Sequence, residues 1–108
     1  MSGLSDEEIQ AALSSLPDWE FDGEVITKSF AWETFRDAID FVNDVADVAE
    51  DENHHPDIEI YYDEVVVSFR THSANAVTER DVELAREIEA MLEEDDLDLD
   101  DDYDGGDG

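Results

Sequence analysis

The sequence predicts an α+β two-layer sandwich, a four-stranded antiparallel sheet with three helices on one face. Three observations predict it. Three segments open on a capping pair and continue with apolar residues at steps of three and four, the period of an amphipathic helix. Two segments alternate apolar and polar residues and break at a turn, as hairpins do. Their order is helix, hairpin, helix, hairpin, helix in a chain of 108 residues, enough for one domain.

The first helix is expected over residues 5–15. Ser5-Asp6-Glu7-Glu8 is a capping box, Ile9, Ala12, Leu13 and Leu16 follow at helical spacing, and Pro17 closes the segment. Trp19-Glu20-Phe21 then alternates, Asp22-Gly23 supplies a turn, and Val25 to Ala31 resumes strand-type residues. Ile26 and Phe30 share the face expected to meet the core.

Thr34 and Asp37 form a second capping pair. Phe35, Ala38, Ile39, Val42, Val45, Ala46 and Ala49 predict an amphipathic helix, with Asp37, Asp40, Asp44, Asp47 and Asp51 on its solvated face. It must end near Asn53, because Pro56 forces His55 into an extended conformation. Ile58, Ile60 and Tyr62 alternate, Asp63-Glu64 interrupts, and Val65, Val67 and Phe69 alternate again, which makes the second hairpin. Thr78 and Asp81 cap a third helix through Val82, Ala85, Ile88 and Met91. Residues 1–93 are read as the domain and 94–108 as an acidic tail, too charged to pack and expected to be disordered.

Charge narrows the function. Thirty-four acids against five bases give a formal charge of −29, which repels phosphate backbones and anionic membranes, so neither nucleic acid nor membrane is an expected partner. The tail holds nine acids and no base, yet without it acids still outnumber bases five to one. The acidity therefore belongs to the whole surface. Adaptation to very high salt, where the Debye length falls to about 3 Å at 1 M, explains this better than a specialised acidic interaction surface. No cysteine is present, which removes disulfides, thiolate metal sites and a cysteine nucleophile. No apolar run reaches the ~20 residues of a membrane span and no basic-then-apolar leader opens the chain, so a soluble, cytoplasmic protein is expected.

The chemistry concentrates in three histidines, His54, His55 and His72, at a helix end and a strand end that this topology brings towards one end of the sheet. Glu50 lies four residues before His54, on the same face if the helix persists. A carboxylate beside an imidazole orients its tautomer and suits it to general acid–base work. Each residue also has a plain structural use: a cation at a helix C-terminus for His54 and His55, a loop residue for His72, a cap for Asp81, a surface acid for Glu50. A zinc or iron site is the rival reading, but adjacent histidines seldom share one ion and no His-x-x-x-His pair exists, so no metal is expected.

Glu50, His54-His55-Pro56, Tyr62, His72 and Asp81, at these spacings over 32 residues, resemble the signature of the pterin-4a-carbinolamine dehydratases, and the likeness in element order runs over about residues 4–92. The resemblance implies elimination of water from 4a-hydroxytetrahydropterin to give quinonoid dihydropterin, without metal or redox cofactor, in recycling of the pterin of aromatic amino-acid hydroxylases. It implies His54 and His72 as proton donors and acceptors, His55 as a residue that positions the pterin, and Glu50 as the group that orients the imidazoles. It also implies a pocket lined by His54, His55 and Pro56 and by Thr71, His72, Ser73 and Ala74, with Asp81 as cap or site residue and Tyr62 as core or pocket wall. A homodimer or homotetramer and a functional link to a hydroxylase complete the implied partners. The competing class is a non-catalytic pterin-binding or protein-interaction module, for example in molybdenum-cofactor metabolism. Nothing in the sequence supports the transcription-factor dimerisation role of some animal relatives.

Overall fold

The computed structural model describes residues 3–101, with side chains described through residue 93. Its elements run α1 (Asp6–Leu13), β1 (Glu20–Phe21), β2 (Ile26–Ala31), α2 (Phe35–Glu52), β3 (Asp57–Tyr61), β4 (Glu64–Phe69) and α3 (Glu79–Asp101). The order is the expected one. One antiparallel sheet holds the strands in the order β1-β2-β4-β3. α3 runs beyond Met91 into the segment read as a tail. The side chains of that stretch, and residues 102–108 altogether, lie outside the described residues, and so does that expectation.

Capping begins each helix where the sequence placed it. Ser5 Oγ accepts from the Glu8 amide at 3.1 Å while Glu8 Oε1 accepts from the Ser5 amide at 2.8 Å, a reciprocal box worth about 1 kcal/mol. α1 stops at Leu13, two residues short of the expected end. Ser14 and Ser15 turn their hydroxyls back to the Ala11 and Ala12 carbonyls, at 2.6 and 3.0 Å, and compete with further helix. Thr34 Oγ1 caps α2 by accepting from Asp37 N at 3.0 Å.

Pairing puts Ile26, Lys28 and Phe30 of β2 opposite Phe69, Val67 and Val65 of β4. That face is covered by the buried residues Ile9 and Leu13 of α1, Ala38, Phe41 and Val45 of α2, and Val82, Leu84, Ala85 and Ile88 of α3, in one continuous core. The buried stripe of α2 is rotated from the expected one: Phe41 is buried, while Phe35 is half exposed and Ala46 is exposed. Phe41 wins the interior because it meets Phe30 at 4.6 Å and Trp32 at 4.9 Å between ring centroids.

Lys28, the one lysine in the chain, points into this layer. Its Nζ lies 2.7 Å from Glu89 Oε2 and 4.8 Å from the Phe30 ring centroid, and Trp19 Nε1 donates to the same Glu89 oxygen at 2.9 Å.

The first hairpin turns where expected. Gly23 has φ +104°, and Asp22 Oδ1 accepts from the Glu24 and Val25 amides at 2.9 and 3.0 Å. Those two backbone bonds hold the Asp22 carboxyl below its ordinary pKa. The second hairpin turns one residue early. Tyr61 pairs with Glu64, so Tyr62 and Asp63 form the turn, with Tyr62 at φ +56°. Tyr62 is therefore 71% exposed at the end of β3 away from the histidines. It is neither core nor pocket wall.

Candidate active site

The site grows from the way α2 ends. Asn53 takes the left-handed conformation (φ 54°, ψ 43°), its amide bonds to Glu50 O at 3.2 Å, and the His54 amide reaches back to Ala49 O at 3.1 Å. This is the paired closure of a left-handed helix end. Asparagine tolerates that region, so the helix finishes at Glu52, with Asn53 as its cap, and the chain turns before His54. Pro56 then leads directly into β3.

The turn separates neighbouring histidines. His54 goes inward, 7% exposed, and its ring lies parallel to Phe69 with 6.3 Å between centroids. Its Nε2 meets Asp81 Oδ1 at 2.6 Å. His55 goes outward and its Nε2 meets Glu50 Oε2 at 2.7 Å, both side chains more than half exposed. The expected pairing of Glu50 with His54 is thus corrected. The αL residue breaks the i, i+4 relation, and Glu50 meets His55, five residues on.

Asp81 is fully buried, and its carboxylate makes three hydrogen bonds. Oδ1 takes His54; Oδ2 accepts from Thr71 Oγ1 and from the Thr78 amide, each at 2.8 Å. The Thr78 bond is the reciprocal half of the cap on α3, so the capping residue and the partner of His54 are one side chain. Thr71 Oγ1 also lies 2.6 Å from Thr78 Oγ1.

Between the α2–β3 connection and the loop after β4 lies an open cavity of about 320 Å³, within the range of small-molecule sites. One wall is Asn53, His54, His55, Pro56 and Asp57; the other is Thr71, His72 and Ser73, with Arg80 at the side. Thr71 and Ala76 bridge across the loop, and Arg70 Nη1 donates to Asn75 Oδ1 at 2.9 Å, which fixes the turn carrying His72. Arg70 Nη2 lies 3.4 Å from His72 Nδ1.

The three histidines, Pro56, Thr71 and Ser73 come together as expected. Ala74 sits in the turn but not on the cavity wall, Glu50 supports His55 from outside it, and Asp81 stands behind His54. Arg80 was not expected. Its Nη2 donates to Asn53 O at 3.0 Å and pins the end of α2 beside the cavity. A signal for it exists: a cation in the first turn of a helix opposes the macrodipole, and this chain has few cations to place. Among the described residues, no group of three or more His, Asp or Glu is arranged to hold a metal ion.

The chain matches the family described as pterin 4 alpha carbinolamine dehydratase over residues 2–91. It belongs to that family. Among relatives named for the same dehydratase, one from Sulfurisphaera tokodaii is 41% identical over 92 residues, 85% of this chain and 99% of its own. Another, from Nocardia farcinica, is 46% identical over 88 residues, 82% of this chain and 93% of its own. The fold is similar to that of a Brucella melitensis protein described as a transcriptional coactivator/pterin dehydratase, with a TM-score of 0.78 and 39% identity, covering 83% of this chain and 98% of that one. A pterin dehydratase-like protein described as a RuBisCO assembly factor of the alpha-carboxysome shares the fold at a TM-score of 0.55 and 18% identity, covering 68% of this chain and 84% of that one.

Proposed function

We propose that this protein eliminates water from 4a-hydroxytetrahydropterin, using histidine as general acid and base, and so returns the pterin of an aromatic amino-acid hydroxylase to use. The C4a–O bond breaks, the hydroxyl leaves as water with one added proton, N5 loses its proton, and a C4a=N5 double bond forms. Nothing is oxidised, so the reaction needs two placed proton groups and a site for a flat heterocycle.

The observation that carries this reading is the buried His54–Asp81 pair opening on a cavity that also takes His72. With Nε2–H spent on Asp81, the neutral ring of His54 has Nδ1 free to take a proton, and the carboxylate behind it stabilises the imidazolium that results. That imidazolium then protonates the departing hydroxyl. His72, on the opposite wall, is the second proton group. His55, held by Glu50 at the rim, positions the ring system. Family membership supports the same substrate class. It also supports a homodimer or homotetramer. The surface charge supports work in concentrated salt.

The test is a spectroscopic dehydration assay on synthetic 4a-hydroxytetrahydropterin in molar salt. The wild-type protein should accelerate the loss of water, and His54→Ala and His72→Ala should each slow it at least ~100-fold, the usual scale of general acid–base catalysis. Unchanged rates in both variants would overturn the assignment.

A further inference from the structure

Four polar groups behind the cavity form a chain whose hydrogen-bond directions are fixed by elimination. A carboxylate only accepts, so in the 2.8 Å contact with Asp81 Oδ2 the Thr71 hydroxyl is the donor. That spends its one hydrogen. In the 2.6 Å contact between the two threonines the donor must therefore be Thr78. The lone pairs of Thr78 Oγ1 are not idle, since they accept from the Arg80 amide at 3.2 Å. The chain thus runs one way, from Thr78 O–H to Thr71, from Thr71 O–H to Asp81 Oδ2, and from His54 Nε2–H to Asp81 Oδ1. Thr71, Thr78 and Asp81 are each 2% exposed or less, so no solvent competes for these bonds.

From this we infer that Thr71 and Thr78 are positioning residues: their ordered hydroxyls hold the Asp81 carboxylate in the one orientation that fixes His54 as the Nε2–H tautomer, with Nδ1 turned to substrate. The inference rests on the reading of His54 as the group that works on the pterin, and it goes beyond the cavity-lining part that the sequence suggested for Thr71. Without the Thr71 hydroxyl, Oδ2 keeps only the Thr78 amide, the carboxylate can rotate about its Cβ–Cγ bond, and His54 can offer either nitrogen. The device costs no charge, since the added groups are neutral donors already needed at the start of α3.

Two readouts on Thr71→Val, Thr71→Ser and Thr78→Val test this. The first is the dehydration rate. The second is the nitrogen-15 spectrum of the His54 ring at a pH where it is neutral, which reports the tautomer without any turnover. Thr71→Val should lower kcat about tenfold with little change in KM and should populate the second His54 tautomer. Thr71→Ser should restore both. Thr78→Val, one bond further away, should produce the same two changes to a smaller extent, and it carries the test if Thr71→Val does not fold. A Val variant with wild-type kcat, or one whose kcat falls while His54 keeps a single tautomer, overturns the inference. An inactive wild-type protein would strike the dehydratase reading alone, and the tautomer spectra would still decide the positioning.

Discussion

The His54–Asp81 pair and the His55–Glu50 pair are nearly identical in length, 2.6 and 2.7 Å, and differ in almost everything else. The first is sealed, with side chains 8% and 0% exposed; the second stands in solvent at 55% and 76%. Two neighbouring residues of one sequence therefore hold the same chemical pairing in two dielectric settings. Separation alone says little about what a pair contributes. A pair in water is screened and has two long side chains to order, whereas a buried one cannot lose a member without stranding the other.

The largest expected effect breaks the buried pair. His54→Ala should cost about 3 kcal/mol in a urea unfolding curve, because Asp81 is left charged and short of a partner, while His55→Ala should cost under ~0.5 kcal/mol. Equal losses would show that burial does not separate the two pairs. Salt should act in the opposite sense on the surface. Moving from dilute buffer to molar potassium chloride should raise the unfolding midpoint of the wild-type protein by about 10 °C, as self-repulsion among the acids is screened. Full folding in dilute buffer, with no gain from salt, would count against adaptation to salt.

Glu87 on α3 gives a third setting, a half-buried carboxyl with like charges close by. Burial first, then the hydrogen bond that the protonated carboxyl gives to Glu52 and the charges of Glu52, Glu83 and Asp51, raise its pKa above the ordinary 4.5. The folded state therefore binds this proton more tightly than the unfolded chain, and stability falls as pH rises from the unfolded value through the raised one. Glu87→Gln should accordingly raise the melting temperature by about 3 °C at neutral pH, and the gain should vanish below the unfolded value, where both side chains are neutral. A gain that persists in acid would point to packing instead of charge. The smallest effect belongs to the rim. Glu50→Gln should change kcat less than ~3-fold, and its coupling to His55 in a double-mutant cycle should fall to zero in molar salt.

Much of this architecture is legible in the sequence. Capping pairs start the helices at Ser5, Thr34 and Thr78, and the spacing of the histidines brings them to one cavity. Two kinds of information were not legible. One is rotation about an element: several apolar residues of α2 compete for the core, and only packing against Phe30 and Trp32 selects Phe41 over Phe35 and Ala46. The other is long-range pairing. Helical periodicity places Glu50 on the face of His54, but one left-handed residue between them ends that periodicity. His54 then finds Asp81, 27 residues on, and Arg80 finds the carbonyl of Asn53 at the same distance in sequence. No local pattern encodes either bond, although the sequence does mark Asp81 as a cap.

Lys28 has a practical consequence. The protein has one side-chain amine, 14% exposed and already paired with Glu89. Amine-directed cross-linkers will find almost nothing to join even if copies assemble tightly, and a negative result from them is uninformative. Carbodiimide coupling to the abundant carboxyls, or native mass measurement, is the chemistry that can count subunits. Slow acylation of Lys28, located by peptide mapping, would itself report the opening of the layer between β2 and α3, with no background from any other lysine.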